Sequence, residues 1–272
     1  MKTTQKNYTI TLEVNGPLSL SETLFCGQAF RWKEENGNYT AVVAKQEVCV
    51  YIKNDTLFIE SDTPLDTVFW QHYFALDDDY IKMQEILCKN DILKKCVDNA
   101  RGIRVLKQEF FETLISFIIS QNNNIPRITG IITRICEEYG EKLPRGQFAF
   151  PTPAALACQT VESLGVLRSG FRAKYILDAA QKVAQGDVTR EKLDKLDLAT
   201  AGELLQTIKG VGPKVSDCVL LFALERKDAF PKDVWIKKAV AELFPEGLPA
   251  ECDGIMGIAQ QYIFEYARKN LK

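Results

Sequence analysis

The chain has 272 residues, of which 46% are hydrophobic, and its formal net charge is −2. This length suits two domains with apolar cores, and the lack of an apolar run of about 18 residues argues against a membrane-spanning helix. The nearly balanced charge also argues against a general nucleic-acid binder, because such proteins are usually basic.

We expect no secretory signal, because the alternating pattern that begins at Tyr8 is not preceded by an apolar segment. The eight cysteines include no Cys-x-x-Cys pair. In a chain of this size, reduced and buried thiols are expected rather than a disulfide framework. Together these features predict a cytoplasmic protein that is not secreted.

A period-two alternation predicts β-strands in the first third of the chain. Asn36-Gly37 is a strong signal for a two-residue hairpin, and Asn54-Asp55 is a weaker one. The result is an antiparallel meander of four or five strands, predicted at residues 8–14, 29–32, 39–43, 47–52 and 56–59.

From about Leu65 onward the period becomes helical. The segment 109–120 is apolar on nearly all sides, which is typical of the central helix of a bundle. Thr200 and Glu203 form a capping-box pattern that predicts a helix start, and Asp233 predicts another. Further helices are predicted at 125–139, 172–184 and 252–271. The predicted fold is α+β, with a β-rich domain at residues 1–100 and an all-helical domain at 101–272.

The single histidine, His72, lies in an aromatic cluster that includes Trp70, Tyr73 and Phe74. Histidine-based catalysis is therefore limited to one position. The surrounding aromatic residues favour a packing role for it.

Residues 208–218 predict a helix, a tight hairpin and a second helix. Gly212 and Pro213 suit the cap and first position of that second helix. Lys214 then falls in its first turn, where the helix dipole disfavours an ammonium ion and favours a neutral, nucleophilic amine. An ordinary surface lysine is the alternative interpretation.

The hairpin itself is a candidate phosphate site, because backbone N–H groups at Gly210, at Gly212 and at the helix start can hold an anion. A helix–turn–helix corner without a ligand is equally compatible with the motif. Residues 205–240 carry seven basic and four acidic side chains, a local charge of +3 that the whole-chain value hides.

Three further groups of residues are candidates. Asp233, nineteen residues after Lys214, is either a structural cap or a carboxylate aimed at a cationic transition state. Asn122, followed by Arg127, lies in an amide-rich loop that suits hydrogen bonding or a simple turn. Phe171 and Arg172 can wedge and read bases, or begin a helix with a packed phenylalanine.

Four sequence blocks together resemble the 8-oxoguanine DNA glycosylase/AP lyase branch of the helix–hairpin–helix (HhH-GPD) DNA glycosylase superfamily. The hairpin block alone is moderately specific, but the blocks occur in order along nearly the whole chain. They are residues 27–32, residues 120–130, residues 210–218 with Asp233, and residues 257–264.

The resemblance implies a role for each matching residue. Lys214 would attack the sugar C1′ and form a Schiff base, and Asp233 would stabilise the cationic sugar. Gly27 would accept a hydrogen bond from the N7–H of the oxidised base, Gln260 would read its Watson–Crick edge, and Cys218 and Phe264 would sandwich it. The DNA contacts would come from Asn122, Arg127 and Arg172 at the opposite cytosine, Phe171 as a wedge, and Gly210, Gly212 and Val215 at the hairpin.

The resemblance also implies the partners. The substrate would be double-stranded DNA containing 8-oxoguanine, handled by a monomer in the bacterial cytoplasm or a eukaryotic nucleus, with no membrane involved. No cofactor would be required, and a monovalent cation at the hairpin is compatible with the family. An iron–sulfur cluster would lack ligands, because Cys252 is the single cysteine after Asp233.

Two positions depart from the family pattern: Trp235 stands where histidine is common, and Phe171 stands where tyrosine is common. The tryptophan offers a phosphate one N–H donor, and the phenylalanine keeps the stacking ring without a hydroxyl.

Two alternative functions stay open. A monofunctional glycosylase for another lesion would use Asp233 and water, and a non-catalytic DNA-binding module would keep only the hairpin; Lys214 argues against both.

Overall fold

The computed structural model describes residues 8–271, in which a five-stranded antiparallel sheet precedes a helical domain. The sheet order is β1-β5-β4-β3-β2. The strands are β1 (Tyr8–Glu13), β2 (Lys33–Glu35), β3 (Asn38–Val43), β4 (Gln46–Lys53) and β5 (Thr56–Ser61). The helices are α1 (Leu20–Phe25), α2 (Thr67–Tyr73), α3 (Tyr80–Leu87), α4 (Asp91–Asn99), α5 (Phe110–Ser120), α6 (Ile125–Tyr139), α7 (Pro153–Ala157), α8 (Ala173–Ala184), α9 (Arg190–Leu193), α10 (Leu198–Gln206), α11 (Pro213–Phe222), α12 (Val234–Leu243) and α13 (Met256–Asn270).

The predicted meander is confirmed, and tight turns connect the consecutive strands β2, β3, β4 and β5. Asn36 and Gly37 have φ of 53° and 79°, and Asn54 and Asp55 have φ of 50° and 55°. Both pairs therefore adopt the left-handed conformation that suits the twist of a two-residue hairpin. β1 pairs with β5 and forms one edge of the sheet.

The strand predicted at residues 29–32 is wrong, because this segment is irregular and β2 begins at Lys33. Its aromatic side chains pack in two different cores. The Phe30 ring meets Phe117 edge-on in the helical core, at 5.8 Å between centroids. Trp32 instead packs in the sheet core and donates a hydrogen bond to the Tyr73 hydroxyl at 3.1 Å. The apolar alternation therefore reflects a connection between two cores rather than one face of a strand.

Two cores account for the two parts of the fold. The smaller core lies between the sheet and α2 and includes Trp70 and Phe74. The larger core already includes Tyr80 and takes Cys26 and Phe30 from the N-terminal segment. The domain boundary predicted at residue 100 stays a prediction. The packing shows that the N-terminal part contributes side chains to the larger core.

The helical domain surrounds α5, whose residues from Thr113 to Ile119 are all buried, as its apolar sequence predicts. The predicted helix start at Thr200 is wrong. Helix α10 begins at Leu198, because Asp197 is the cap and its carboxylate accepts a hydrogen bond from the Thr200 N–H at 2.8 Å. The last helix also begins later than predicted, at Met256.

The packing role predicted for His72 is wrong, since 43% of its side chain is exposed. Its Nδ1 lies 2.8 Å from Asp77 Oδ2 and its Nε2 lies 3.0 Å from Glu225 Oε1. The ring therefore links α2 to the turn after α11 on the surface. No helix within residues 8–271 has both the length and the apolarity to cross a bilayer.

Candidate active site

One pocket, called here the lysine pocket, lies where the N-terminal segment meets α5, α11, α13 and the start of α12. It brings together all six residues that the sequence predicts around a reacting base: Gly27, Lys214, Cys218, Asp233, Gln260 and Phe264. Its remaining lining residues are Cys26, Phe117, Phe222, Pro231 and Gln261. Segments far apart in sequence thus converge on one cavity that contains both a lysine and a carboxylate.

Lys214 occupies the second position of α11, after Gly212 as cap and Pro213, as predicted. The preceding turn requires glycine at 210, because its φ is +79° and a Cβ there would collide with the Tyr175 ring. The amine Nζ lies 3.4 Å from Ser120 Oγ and 5.1 Å from the centre of the Phe117 ring, both on α5. The tight hairpin and α5 therefore place the amine at the wall of the pocket.

Asp233 is the cap of α12, as predicted. Its Oδ1 accepts a hydrogen bond from the Ile236 N–H at 2.8 Å. This bond fixes one carboxylate oxygen and leaves the other for a group in the pocket. The arrangement serves both interpretations made from the sequence, because the cap also directs a negative charge at the cavity that contains Lys214.

Cys218 lies one helical turn after Lys214 and is almost fully buried. Burial raises the pKa of its thiol to about 11, and the neighbouring Lys214 acts in the opposite direction. The thiol is therefore neutral near pH 7, as suits an apolar wall. Phe264, on α13, is half-buried and lines the same pocket, and the Arg268 guanidinium lies 5.8 Å from the centre of its ring.

Gly27 enters the pocket in the left-handed region, with φ of +94°. The next residue, Gln28, is buried and fixes this loop. Its Nε2 donates to the Arg104 carbonyl at 2.8 Å, and its Oε1 accepts from the Leu106 N–H at 2.8 Å. The backbone of Gly27 is therefore held in place by a side chain that does not line the cavity.

Several pocket residues were missed by sequence reasoning. Phe117 and Phe222 stack with 5.3 Å between centroids and 11° between planes, next to the lysine. The uniformly apolar pattern of α5 does not reveal which of its faces lines a cavity. Cys26 and Gln261 were also missed; for them the available signal was adjacency to Gly27 and Gln260.

A second group, called here the Arg172 cluster, comprises Asn122, Arg127, Phe171 and Arg172 and does not line the lysine pocket. Phe171 is 53% exposed, as a wedge requires, whereas Arg172 is only 2% exposed. Arg172 Nε donates to the Gln121 carbonyl at 3.2 Å and Nη2 donates to the Asn122 carbonyl at 3.0 Å. Its guanidinium also lies 4.4 Å from the centre of the Phe171 ring.

The guanidinium of Arg172 is directed at the loop backbone, and its contact with the opposite cytosine stays a prediction. Burial and the nearby charge of Arg127 lower the pKa of Arg172 from its ordinary value. Asn122 has φ of 45°, the left-handed conformation that asparagine tolerates. Arg172 therefore holds the shape of the loop that carries Asn122.

The hairpin and the start of α12 carry the local positive charge that the sequence shows at residues 205–240. Val215 is buried, so that it has only its backbone N–H to offer at the start of α11. Trp235 is 42% exposed on α12. The lysines at 232, 237 and 238 are exposed on the same part of the chain.

Within the described part of the chain, no group of three or more His, Cys, Asp or Glu side chains is arranged to hold a metal ion. The expectations that no cofactor is required and that a monovalent cation can occupy the hairpin stay predictions. All eight cysteines are unpaired.

Both parts of the chain match known protein families. Residues 10–114 match the 8-oxoguanine DNA glycosylase N-terminal domain, and residues 115–247 match the HhH-GPD superfamily of base excision DNA repair proteins. The chain is 30% identical to the N-glycosylase/DNA lyase of Saccharomyces cerevisiae over 259 residues, which cover 81% of this chain and 67% of the yeast protein.

Two solved structures are similar over nearly their whole length. The structure of MBOgg1 with a low-affinity DNA ligand has a TM-score of 0.91 and 40% identity, covering 97% of this chain and 96% of that one. The second is the 8-oxoguanine glycosylase/lyase of Clostridium acetobutylicum, in complex with double-stranded DNA containing cytosine opposite 8-oxoguanine. It has a TM-score of 0.86 and 36% identity, and the match covers 94% of this chain and 93% of that one.

Proposed function

Since the chain belongs to the HhH-GPD superfamily of base excision DNA repair proteins and carries the 8-oxoguanine DNA glycosylase N-terminal domain, we propose that it excises 8-oxoguanine paired with cytosine and then nicks the strand. It is a bifunctional N-glycosylase/DNA lyase, the type to which its relatives belong. The observation that carries the proposal is the convergence of Lys214, Asp233, Gly27 and Gln260 on one pocket.

The chemistry begins with extrusion of the damaged nucleotide, because a base inside a duplex cannot reach a recessed amine. The amine of Lys214 attacks the sugar C1′ as the bond from C1′ to the base breaks. The base leaves with that electron pair and takes up a proton, while Nζ loses one. The free oxygen of the Asp233 carboxylate stabilises the positive charge that develops on the sugar.

In the covalent sugar–lysine adduct the bond from C1′ to the ring oxygen O4′ then breaks, O4′ takes up a proton, and a Schiff base forms between Nζ and C1′. Loss of a proton from C2′ expels the 3′ phosphate, and the strand is nicked by β-elimination. Lys214 serves both steps, since one nitrogen first displaces the base and then activates the sugar for elimination.

Recognition of the lesion rests on the backbone of Gly27. Guanine and 8-oxoguanine have similar shapes, but only the oxidised base carries a proton at N7. A carbonyl fixed by the buried Gln28 network gains a hydrogen bond from the lesion and is left unpaired by guanine. A polar group left unpaired in a closed pocket supplies more discrimination than a difference in shape.

Preference for the lesion opposite cytosine is assigned to the Arg172 cluster. Arg127 is exposed beside the loop, and Phe171 is exposed at a position to enter the base stack. Arg172 acts in this proposal by holding the loop carbonyls that orient Asn122.

The test is borohydride trapping on a duplex with one 8-oxoguanine opposite cytosine, with an undamaged duplex as control. We expect a covalent complex with the damaged duplex alone, and none with Lys214→Gln. Lys53→Gln is the matched control, because Lys53 is exposed at the end of β4 in the sheet and does not line the pocket. Base release without a trapped complex would favour a water-using glycosylase, and trapping by Lys214→Gln would remove Lys214 from the mechanism.

A further inference from the structure

A series of buried polar side chains runs along the wall of the lysine pocket, from the Gly27 loop to α13. Its members are Gln28, Cys26, Gln261 and Gln260, each no more than 5% exposed. Cys26, Gln261 and Gln260 also line the pocket. Buried amides are costly unless they are hydrogen-bonded, so the direction of each bond in this series constrains the next.

The first link joins Cys26 to the amide of Gln261. Burial raises the pKa of Cys26 to about 12, so that its sulfur carries a proton near pH 7. The Cys26 thiol lies 3.6 Å from Gln261 Oε1 and 3.3 Å from the Thr23 carbonyl, two acceptors for its single proton. Gln28 Nε2 lies 3.4 Å from the same sulfur, and its two protons have nearer acceptors in the Thr23 and Arg104 carbonyls, each at 2.8 Å. Gln261 Oε1 faces the thiol, and its Nε2 faces Gln260.

The second link passes this orientation to Gln260. Gln261 Nε2 donates to Gln260 Oε1 at 2.5 Å, and Gln260 Nε2 donates to the Pro231 carbonyl at 3.2 Å. The two ends of an amide have nearly the same shape, so its hydrogen-bond partners decide which end points where. Both partners of Gln260 favour the same orientation.

We propose that Gln261 is a positioning residue that fixes the amide of Gln260 and thereby determines the donor and acceptor pattern presented to the flipped base. The inference rests on the proposed function, in which Gln260 reads the edge of 8-oxoguanine. A residue at 261 that only accepts hydrogen bonds would require the Gln260 amide to rotate. Donor and acceptor would then change places at the pocket.

A purely packing role would not require this side chain. An apolar residue of similar length would fill the same volume on α13 without the desolvation of an amide. Both hydrogen bonds of Gln261 instead connect residues that line the pocket, Cys26 on one side and Gln260 on the other.

The test uses two variants and two reactions. Gln261→Met keeps the length and removes the hydrogen bonds, while Gln261→Glu keeps the acceptor toward Cys26 and removes the donor to Gln260. Single-turnover excision of 8-oxoguanine opposite cytosine requires the base to be read. Strand cleavage at a preformed abasic site uses Lys214 with no base present.

We expect both variants to excise 8-oxoguanine roughly tenfold more slowly, as for a buried hydrogen bond lost at the reacting base. Cleavage of the abasic duplex should stay within about twofold of wild type, because the lysine is not disturbed. Gln84→Met is the matched control, since Gln84 is a buried amide that bonds the Tyr262 hydroxyl on α13 at 2.8 Å and does not line the pocket. It should lower the melting temperature without separating the two reactions.

A double-mutant cycle links Gln261 to Gln260. In a Gln260→Ala background, Gln261→Met should slow excision by less than about twofold, because no amide is left to orient. Wild-type excision by both Gln261 variants, or an equal loss in both reactions, would overturn the inference. If the wild-type protein cleaves the abasic duplex but does not release 8-oxoguanine, the proposed substrate is wrong and this inference fails with it.

Discussion

In the lysine pocket the reactive groups are attached to helix starts and to a fixed loop, whereas in the Arg172 cluster one arginine holds the loop that carries Asn122. Lys214 and Asp233 each occupy the first turn or cap of a helix, so local backbone geometry determines where their side chains are attached. Arg172 makes its contacts through the far end of a long side chain. The difference indicates that helix starts place the groups of the lysine pocket, while a single side chain holds the loop that carries Asn122.

The largest effect is expected for Asp233→Asn, which tests whether the pocket needs the charge or only the cap. Asparagine caps helices about as well as aspartate, so α12 should keep its start. Loss of the carboxylate should lower the single-turnover excision rate by about 100-fold or more. Asp197→Asn is the control, because it makes the same change at the cap of α10, away from the pocket. Equal activity of the two variants would reduce Asp233 to a structural residue.

Gly27→Ala tests whether the loop backbone in the pocket must be held in one conformation. A Cβ at Gly27 meets no atom within 4 Å, but φ of +94° strains an alanine. Stability should fall by about 1 kcal/mol, and excision of 8-oxoguanine should fall by about tenfold or more as the carbonyl shifts.

Gly37→Ala is a close control for that change. Gly37 also has open space at Cβ and φ of +79°, but it lies in the hairpin between β2 and β3. Thermal melts should show similar losses for both variants, with excision reduced only by Gly27→Ala. Comparable excision by the two proteins would remove the Gly27 backbone from recognition of the lesion.

Arg172→Ala tests whether Arg172 holds the loop that carries Asn122. Residues 121–124 should exchange backbone hydrogens faster in the DNA-free protein, because the carbonyls of Gln121 and Asn122 lose their buried partner. The rate preference for cytosine opposite the lesion should fall several-fold, roughly what about 1 kcal/mol supplies. Arg134→Ala is the control, since Arg134 Nε likewise donates to a carbonyl, that of Leu167, at 2.9 Å. Unchanged exchange in the loop would mean that Arg172 acts on DNA alone.

The smallest effect concerns Asp217, a half-buried carboxylate on α11. Burial raises its pKa from 3.8 to about 6, and Lys232 acts in the opposite direction. Since the pKa is higher in the folded than in the unfolded protein, the ionised group costs stability above pH 6 and costs nothing below about pH 4. Asp217→Asn should therefore stabilise the protein by about 1 kcal/mol at pH 8, after allowance for solvent screening. Urea unfolding at pH 4 and pH 8 measures this, and an equal gain at both values would contradict it.

The contrast between the lysine pocket and the Arg172 cluster also explains how much of the site the sequence could predict. Glycine turns, caps and the first position of a helix are local signals, and they located Gly210, Gly212, Lys214 and Asp233 correctly on their elements. The direction of a long side chain depends on what lies across the fold. Neither the burial of Arg172 against a loop about 50 residues away nor the contact of His72 with Glu225 has a local pattern.

The errors at strands and helix starts have related causes. Residues 29–32 alternate like a strand because they connect two cores, which only the assembled fold reveals. At α10 two capping patterns overlap, and Asp197 prevails because aspartate is the stronger cap and lies one turn earlier. Gln261 carried only the weak signal of its adjacency to Gln260, because a glutamine beside a glutamine on a helix does not show that both are buried.

The lysine pocket draws its walls from both ends of the chain, Gly27 near the beginning and Phe264 on the last helix. Contacts between residues so far apart in sequence form late in folding, because a long loop must close before they can be made. During synthesis the hairpin with Lys214 leaves the ribosome before α13 does, so the amine exists before the wall that α13 supplies. An unfinished chain therefore carries the lysine without a complete pocket, and synthesis of α13 is what completes the cavity around it.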